Sequence, residues 1–148
     1  MAKKPTHADA QIILKLYNLR REPEMRKARA WWLGEFWPKS IEDFTKVSAA
    51  MGTQENNWLR QVSGYWEMAA SLAVHGAVSE KLFLEPSFSG EMFFLFAKVN
   101  PFLKELREKV SPTMLRNVEQ IVKSTKSSRE FFKRTEANVA ARLKSMKK

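Results

Sequence analysis

TQENNWLRQVSGYWEMAASLAVHG, residues 53–76, is the stretch that decides the fold. Thr53 is an N-cap residue and Gly76 a natural residue just past a helix end, so a helix runs from about Thr53 to His75. At about 1.5 Å per residue it spans roughly 35 Å, enough to cross a small domain. Trp58, Leu59, Val62, Tyr65, Trp66, Met68, Ala69, Leu72, Ala73 and Val74 cover more than one of its faces. A helix apolar around so much of its girth is a central one. Gly64 inside it costs about 1 kcal/mol against Ala, which implies that a neighbour approaches closely there.

Caps and breakers mark out further helices on both sides. Thr6 with Asp9 forms a capping box that opens a helix through Leu19, and Pro23 ends or kinks it. Met25, Ala28, Trp32 and Phe36 define a second helix from about Glu24 to Phe36, closed by Pro38. Ser40 with Asp43 caps a third, carrying Ile41, Phe44, Val47 and Met51. Beyond Gly76, a short helix is expected over Ser79–Leu84, then a turn at EPSFSG and a dense apolar helix from Met92 to Val99. Pro101 kinks it or starts a new one running to Val110. Ser111-Pro112 reads as an N-cap with proline at N1, opening a helix to about Val122. KSTKSS is a polar hinge, and Ser127 with Glu130 caps a last helix striped with Phe132, Thr135, Val139, Leu143 and Met146.

Strict alternation is nowhere sustained, and only five glycines occur. The expectation is a single all-α domain, a helical bundle of six to eight helices around the long central helix. Residues 1–126 form the body, and residues 127–148 a basic amphipathic helix packed on it. The expected core holds Ile13, Leu16, Trp32, Phe36, Phe44, Val47, Val62, Trp66, Ala69, Leu72, Phe93, Phe96, Leu103 and Val118.

The chain has 148 residues, one domain's worth, and folding at that size buries roughly 68–70% of the unfolded surface. With no cysteine there is no disulfide or thiolate chemistry. The longest apolar runs, MAASLAV and MFFLFA, fall far short of the ~18–20 residues of a membrane span, and no signal h-region is legible. A soluble cytoplasmic protein of a bacterium or archaeon is expected.

Candidate chemistry is sparse. The two histidines are His7, among polar residues, and His75, at the end of the central helix, where an imidazole suits the dipole. Glu67 reads as a partly buried carboxylate paired with an arginine. An enzyme using Glu67 and His75 in a small pocket is the third reading of function. No cluster has metal-ligand spacing, and the glycine loops of nucleotide and hydrolase folds are absent. No catalytic residue, metal or cofactor is therefore expected, and the protein reads as a non-enzyme. VSAAMGTQENNWLRQV (47–62) has a helix-turn-helix outline, but Trp58 and Gln61 are wrong for it and the second helix is too long and too apolar for a groove.

Two features point to partners. Trp31, Trp32 and Trp37 lie within seven residues, and an exposed aromatic patch there would dock a protein partner or a second copy; adjacent Trp31 and Trp32 are both buried only if two helix faces are covered. This gives the preferred function, a helical scaffold or interaction module with a possible homo-oligomer. The second feature is charge. Residues 1–29 carry eight Lys/Arg against three acids, residues 123–148 nine against two, and the middle nine against eleven. Basic ends fit an anionic partner, so the alternative function is sequence-independent binding of nucleic acid or an anionic surface through Lys3, Lys4, Arg20, Arg21, Lys133, Arg134, Arg142 and Lys144.

ARAWWLGEFWPKS, NNWLRQVSGYWEMAASLAVHGAVSEKLF, GEMFFLFAKVNPFLKELR and LRNVEQIV together resemble a family of small bacterial all-helical domains of unknown function, over about residues 8–123. Some relatives of that kind carry a membrane anchor, and no run in this sequence reads as one. The resemblance implies an all-α fold and supplies no activity, ligand or catalytic residue.

Overall fold

Prolines open helices in this protein more than they close them. The computed structural model describes residues 4–146. Its α-helices are α1 (His7–Leu19), α2 (Pro23–Gly34), α3 (Ile41–Ser48), α4 (Gln54–Val74), α5 (Glu80–Phe83), α6 (Pro86–Val99), α7 (Leu103–Lys109), α8 (Arg116–Val122) and α9 (Lys126–Ser145), with a 3-10 turn over Asn100–Phe102. Eight of them have seven residues or more and α5 is a single turn, with no strand among the described residues. The molecule is the expected all-α bundle.

Pro23 and Pro86 each occupy the first turn of a helix, where the missing N–H has no intrahelical partner to lose. So Pro23 starts α2 behind a Glu22 cap instead of ending α1, and EPSFSG is the beginning of α6, not a turn. The Thr6–Asp9 capping box forms as expected, and Asp9 also accepts the Ser79 N–H at 2.9 Å, tying α1 to the start of α5. The last helix starts two residues earlier than Ser127–Glu130 suggested, because Thr125 and Ser128 close a capping box of their own.

Long α4 carries α2, α3 and α8 along its length, while α9 lies along α6. Helix α6 is the most enclosed of all, with Phe88, Met92, Phe93, Leu95, Phe96 and Val99 buried. One continuous core joins the two halves. Of the expected core residues, Ile13, Val47 and Leu72 are partly buried against it and the other eleven are buried. Phe131 of α9 meets Phe93 edge-on at 4.8 Å between ring centroids, and Phe132 meets Phe96 at 5.2 Å. The last helix is thus part of the core.

Candidate functional site

Helix α9 turns its aromatic side inward, and this fixes what it leaves outside. Phe132, Val139 and Ser128 are buried, with Phe131 and Leu143 packed against the core. At 100° per residue, Lys126, Arg129, Lys133 and Lys144 fall on one outward side, Arg129 at its edge, and Glu130, Ala137 and Ala140 share that side. All four are exposed, as are the flanking Arg134 and Arg142. Among the described residues, none of these six cations lies within ion-pair distance of a carboxylate. Arg129 holds only the Lys123 carbonyl, at 2.8 Å. The result is a basic strip about 30 Å long, by the helical rise. Lys126 and Arg129 belong to it and escaped the sequence reading, although their spacing from Lys133 carries the signal.

The remaining candidates of the basic set are scattered. Lys3 lies outside the described residues. Lys4 and Arg21 are exposed beside the two ends of α1, which sits against α5. Arg20 is only 5% exposed and is not available to a partner. Its guanidinium carbon stands 4.5 Å from the Trp66 ring centroid and 4.7 Å from that of Phe88, its Nε donates to the Tyr65 hydroxyl at 3.3 Å, and a terminal nitrogen donates to the Phe88 carbonyl. The planar cation is desolvated by aromatic faces and fastens the end of α1 to α4 and α6. Burial raises the Tyr65 hydroxyl above its ordinary range against the opposing pull of Arg20.

The tryptophan patch is not a surface. Trp31 stacks on Phe36 at 4.5 Å, Trp32 meets Phe36 edge-on at 5.0 Å, and both tryptophans are buried because α4 covers one face of α2 while the returning Phe36 covers another. Trp37 is half-buried against Phe94. It also shields a second internal cation: Lys98 Nζ lies 3.8 Å from its ring centroid and donates to the carbonyls of Trp32 and of Phe36, the latter at 2.7 Å. Lys98 therefore caps the end of α2 from α6. Burial, with the charge of Arg142 adding to it, lowers its amine to about 7.

Glu67 and His75 do not form a site. Eight residues apart on and beside one helix, they are about 12 Å apart along its axis, and His75 is exposed. Instead of pairing with an arginine, the Glu67 carboxylate accepts the backbone N–H groups of Asn117 (3.1 Å to each oxygen) and Val118 (3.0 Å) and the Asn117 side-chain amide (2.7 Å). It is the N-cap of α8, lent by α4, since α8 has no side-chain cap of its own. Ser111-Pro112 does not open that helix; residues 111–115 are a turn ending in Leu115 with φ 53° and ψ 28°. No group of three or more His, Asp or Glu among the described residues is arranged to hold a metal, and no helix there is long and apolar enough to cross a membrane.

A helical bundle with structural internal cations and a basic outer strip is the class these features define. The chain belongs to DUF4760, a domain of unknown function, whose family model matches residues 5–125. Helix α9 lies just beyond that match. No curated protein and no solved structure matches the chain.

Proposed function

We propose that this protein is a non-enzymatic, cytoplasmic interaction module that holds a nucleic-acid backbone on the outer strip of α9, without regard to sequence. The observation that carries this reading is the line of Lys126, Arg129, Lys133 and Lys144, exposed and without carboxylate partners among the described residues. A membrane surface is the weaker fit, because binding in that plane needs apolar anchors, and those of α9 are spent on α6. Four contacted phosphates give a slope of log K against log salt of roughly −3 to −4 on duplex. The test is a titration of fluorescent duplex and single strands at two salt concentrations, alongside vesicles containing phosphatidylserine. The variant changes those four residues to Gln, which sits well in an exposed helix. Loss of duplex or single-strand binding in the variant supports the proposal. Equal binding by both proteins, or binding to vesicles alone, overturns it.

Self-association is a second reading, and with Trp31 and Trp32 buried we propose the outer face of α1 for it. Leu14 and Tyr17, three residues apart on its outer face, are 68% and 49% exposed. Light scattering across a hundredfold concentration range tests it: a dimer that Leu14→Glu converts to monomer supports this face, and a monomer at every concentration removes it.

A further inference from the structure

We infer that the groove between α4 and residues 110–115 binds a small apolar monocarboxylate, with its anionic head on Arg60 and its apolar body over Gly64. The groove has a volume of about 400 Å³, within the range of small-molecule sites, and none of its lining residues belongs to α9. Trp32, Phe44, Leu59, Val99 and Leu115 give it apolar walls, as such sites usually have.

Two oddities of the chain meet in this groove. The first is Gly64. A glycine in the middle of a long helix costs stability, and close packing was the expected reason for it. The structure gives no such reason: a Cβ at position 64 would meet no atom within 4 Å. What the missing side chain does is leave the groove open down to the α4 backbone. The second is Leu115, the one non-glycine residue with positive φ among the described residues. A bulky residue in that region is strained, and strain of this kind gathers at sites that hold something. The turn that bears the strain is the wall facing α4.

Charge fixes the class of occupant. Arg60, Gly64 and Glu67 share one face of α4 at i, i+4 and i+7, and all three line the groove. A cation therefore stands at one end and a carboxylate at the other, about 10 Å apart along the helix. The carboxylate is satisfied, since both its oxygens accept the Asn117 N–H and one also accepts that of Val118. The cation is not. Arg60 is exposed, and among the described residues no carboxylate lies within ion-pair distance of it. Its one hydrogen bond goes to the Asn56 side-chain oxygen at 3.5 Å, which leaves most of the donors of a guanidinium unused. A planar fork of such donors matches a carboxylate through two parallel bonds. One guanidinium balances one negative charge, and a second charge on the ligand would lie against apolar walls with no partner. On its other side Arg60 borders Gln54, Asn57 and Gln61, so the apolar body of the ligand lies toward Gly64.

The experiment uses ¹⁵N-labelled full-length protein, with cinnamate and cinnamamide as probes; they share one shape and differ in charge. Both are expected to move the backbone resonance of Gly64. Cinnamate is expected to bind about tenfold tighter than cinnamamide, the low end for a hydrogen bond to a charged group because Arg60 is exposed. Arg60→Gln is expected to abolish that preference and leave the affinity for cinnamamide unchanged. Gly64→Leu is expected to weaken both probes at least tenfold by filling the groove, with no fall in the melting midpoint, since leucine is the better helix former. The four-residue Gln variant of α9 is expected to bind both probes as the wild type does, which separates this site from the outer strip. Equal affinity of the two probes, a preference that survives Arg60→Gln, binding indifferent to Gly64→Leu, loss of cinnamate binding in the α9 variant, or no binding of either probe overturns the inference.

Discussion

Removing the charge from Glu67 should cost this protein stability out of proportion to the size of the change. Helix α8 has seven residues, too few to hold itself, and its first donors have no local cap. The Glu67 carboxylate supplies the cap from α4, taking Asn117 N–H, Val118 N–H and the Asn117 amide, all within 3.1 Å. Losing an N-cap alone costs about 0.5–2 kcal/mol, and a hydrogen bond to a charged group about 1.5–3 kcal/mol. The site is half-buried, so water recovers part of this, which leaves roughly 2–4 kcal/mol for Glu67→Ala. Glu67→Gln keeps the size but turns an NH2 toward backbone donors, leaving one acceptor where two were used. It should cost about 1–3 kcal/mol, most of the alanine effect. Urea unfolding followed by circular dichroism measures both, with the slope expected to stay constant and the midpoint to fall. A Gln variant within 0.5 kcal/mol of wild type, on the usual scale of a neutral surface change, would refute the capping role.

Lys98 predicts a pH dependence. Its folded value of about 7 lies below the ordinary 10.5, so between the two the unfolded chain holds a proton that the folded one has released. Stability should therefore rise with pH across that window, by up to about 1.4 kcal/mol per pH unit from this group, and Lys98→Met should remove that part of the slope. Equal slopes in the two proteins would refute it. Phe132→Ala should lower stability by about 3–5 kcal/mol, as for a core phenylalanine, because its ring is buried on Phe96. A loss below about 1 kcal/mol in urea unfolding would mean that α9 is not part of the core.

The helices were legible because their signals are local. Thr6, Ser40, Thr53 and Ser79 each cap a helix through their own side chains, and most of the residues that apolar spacing assigns to the core are buried there. What failed depends on contacts distant in sequence. Arg20 and Lys98 look like any surface cation in a basic chain, yet each is desolvated by rings that come from other helices. Trp31 and Trp32 could be read as exposed or buried until the neighbours of α2 were known. Glu67 was read correctly as partly buried, but its partner is a backbone terminus fifty residues away, which has no side-chain signature. Gly64 shows the same limit in reverse: the sequence registers its cost, and only the structure shows that no neighbour fills the space. The basic strip was half legible, because its net charge is a property of composition while its alignment is a property of which α9 face Phe132 takes inward.

The seating of α9 on α6 also sets the order in which the protein can be finished. Phe93 and Phe96 belong to α6, but the rings that cover them, Phe131 and Phe132, are made much later. Some 46 residues separate the end of α6 from the end of α9, which is roughly two to nine seconds of synthesis at about 5–20 residues per second. For that interval the most apolar helix of the chain stands with one side open, while the strip that keeps α9 soluble is still being added. The nascent chain is then at its most exposed to aggregation, and the helix that ends the exposure arrives bearing positive charge beside a ribosome made largely of RNA.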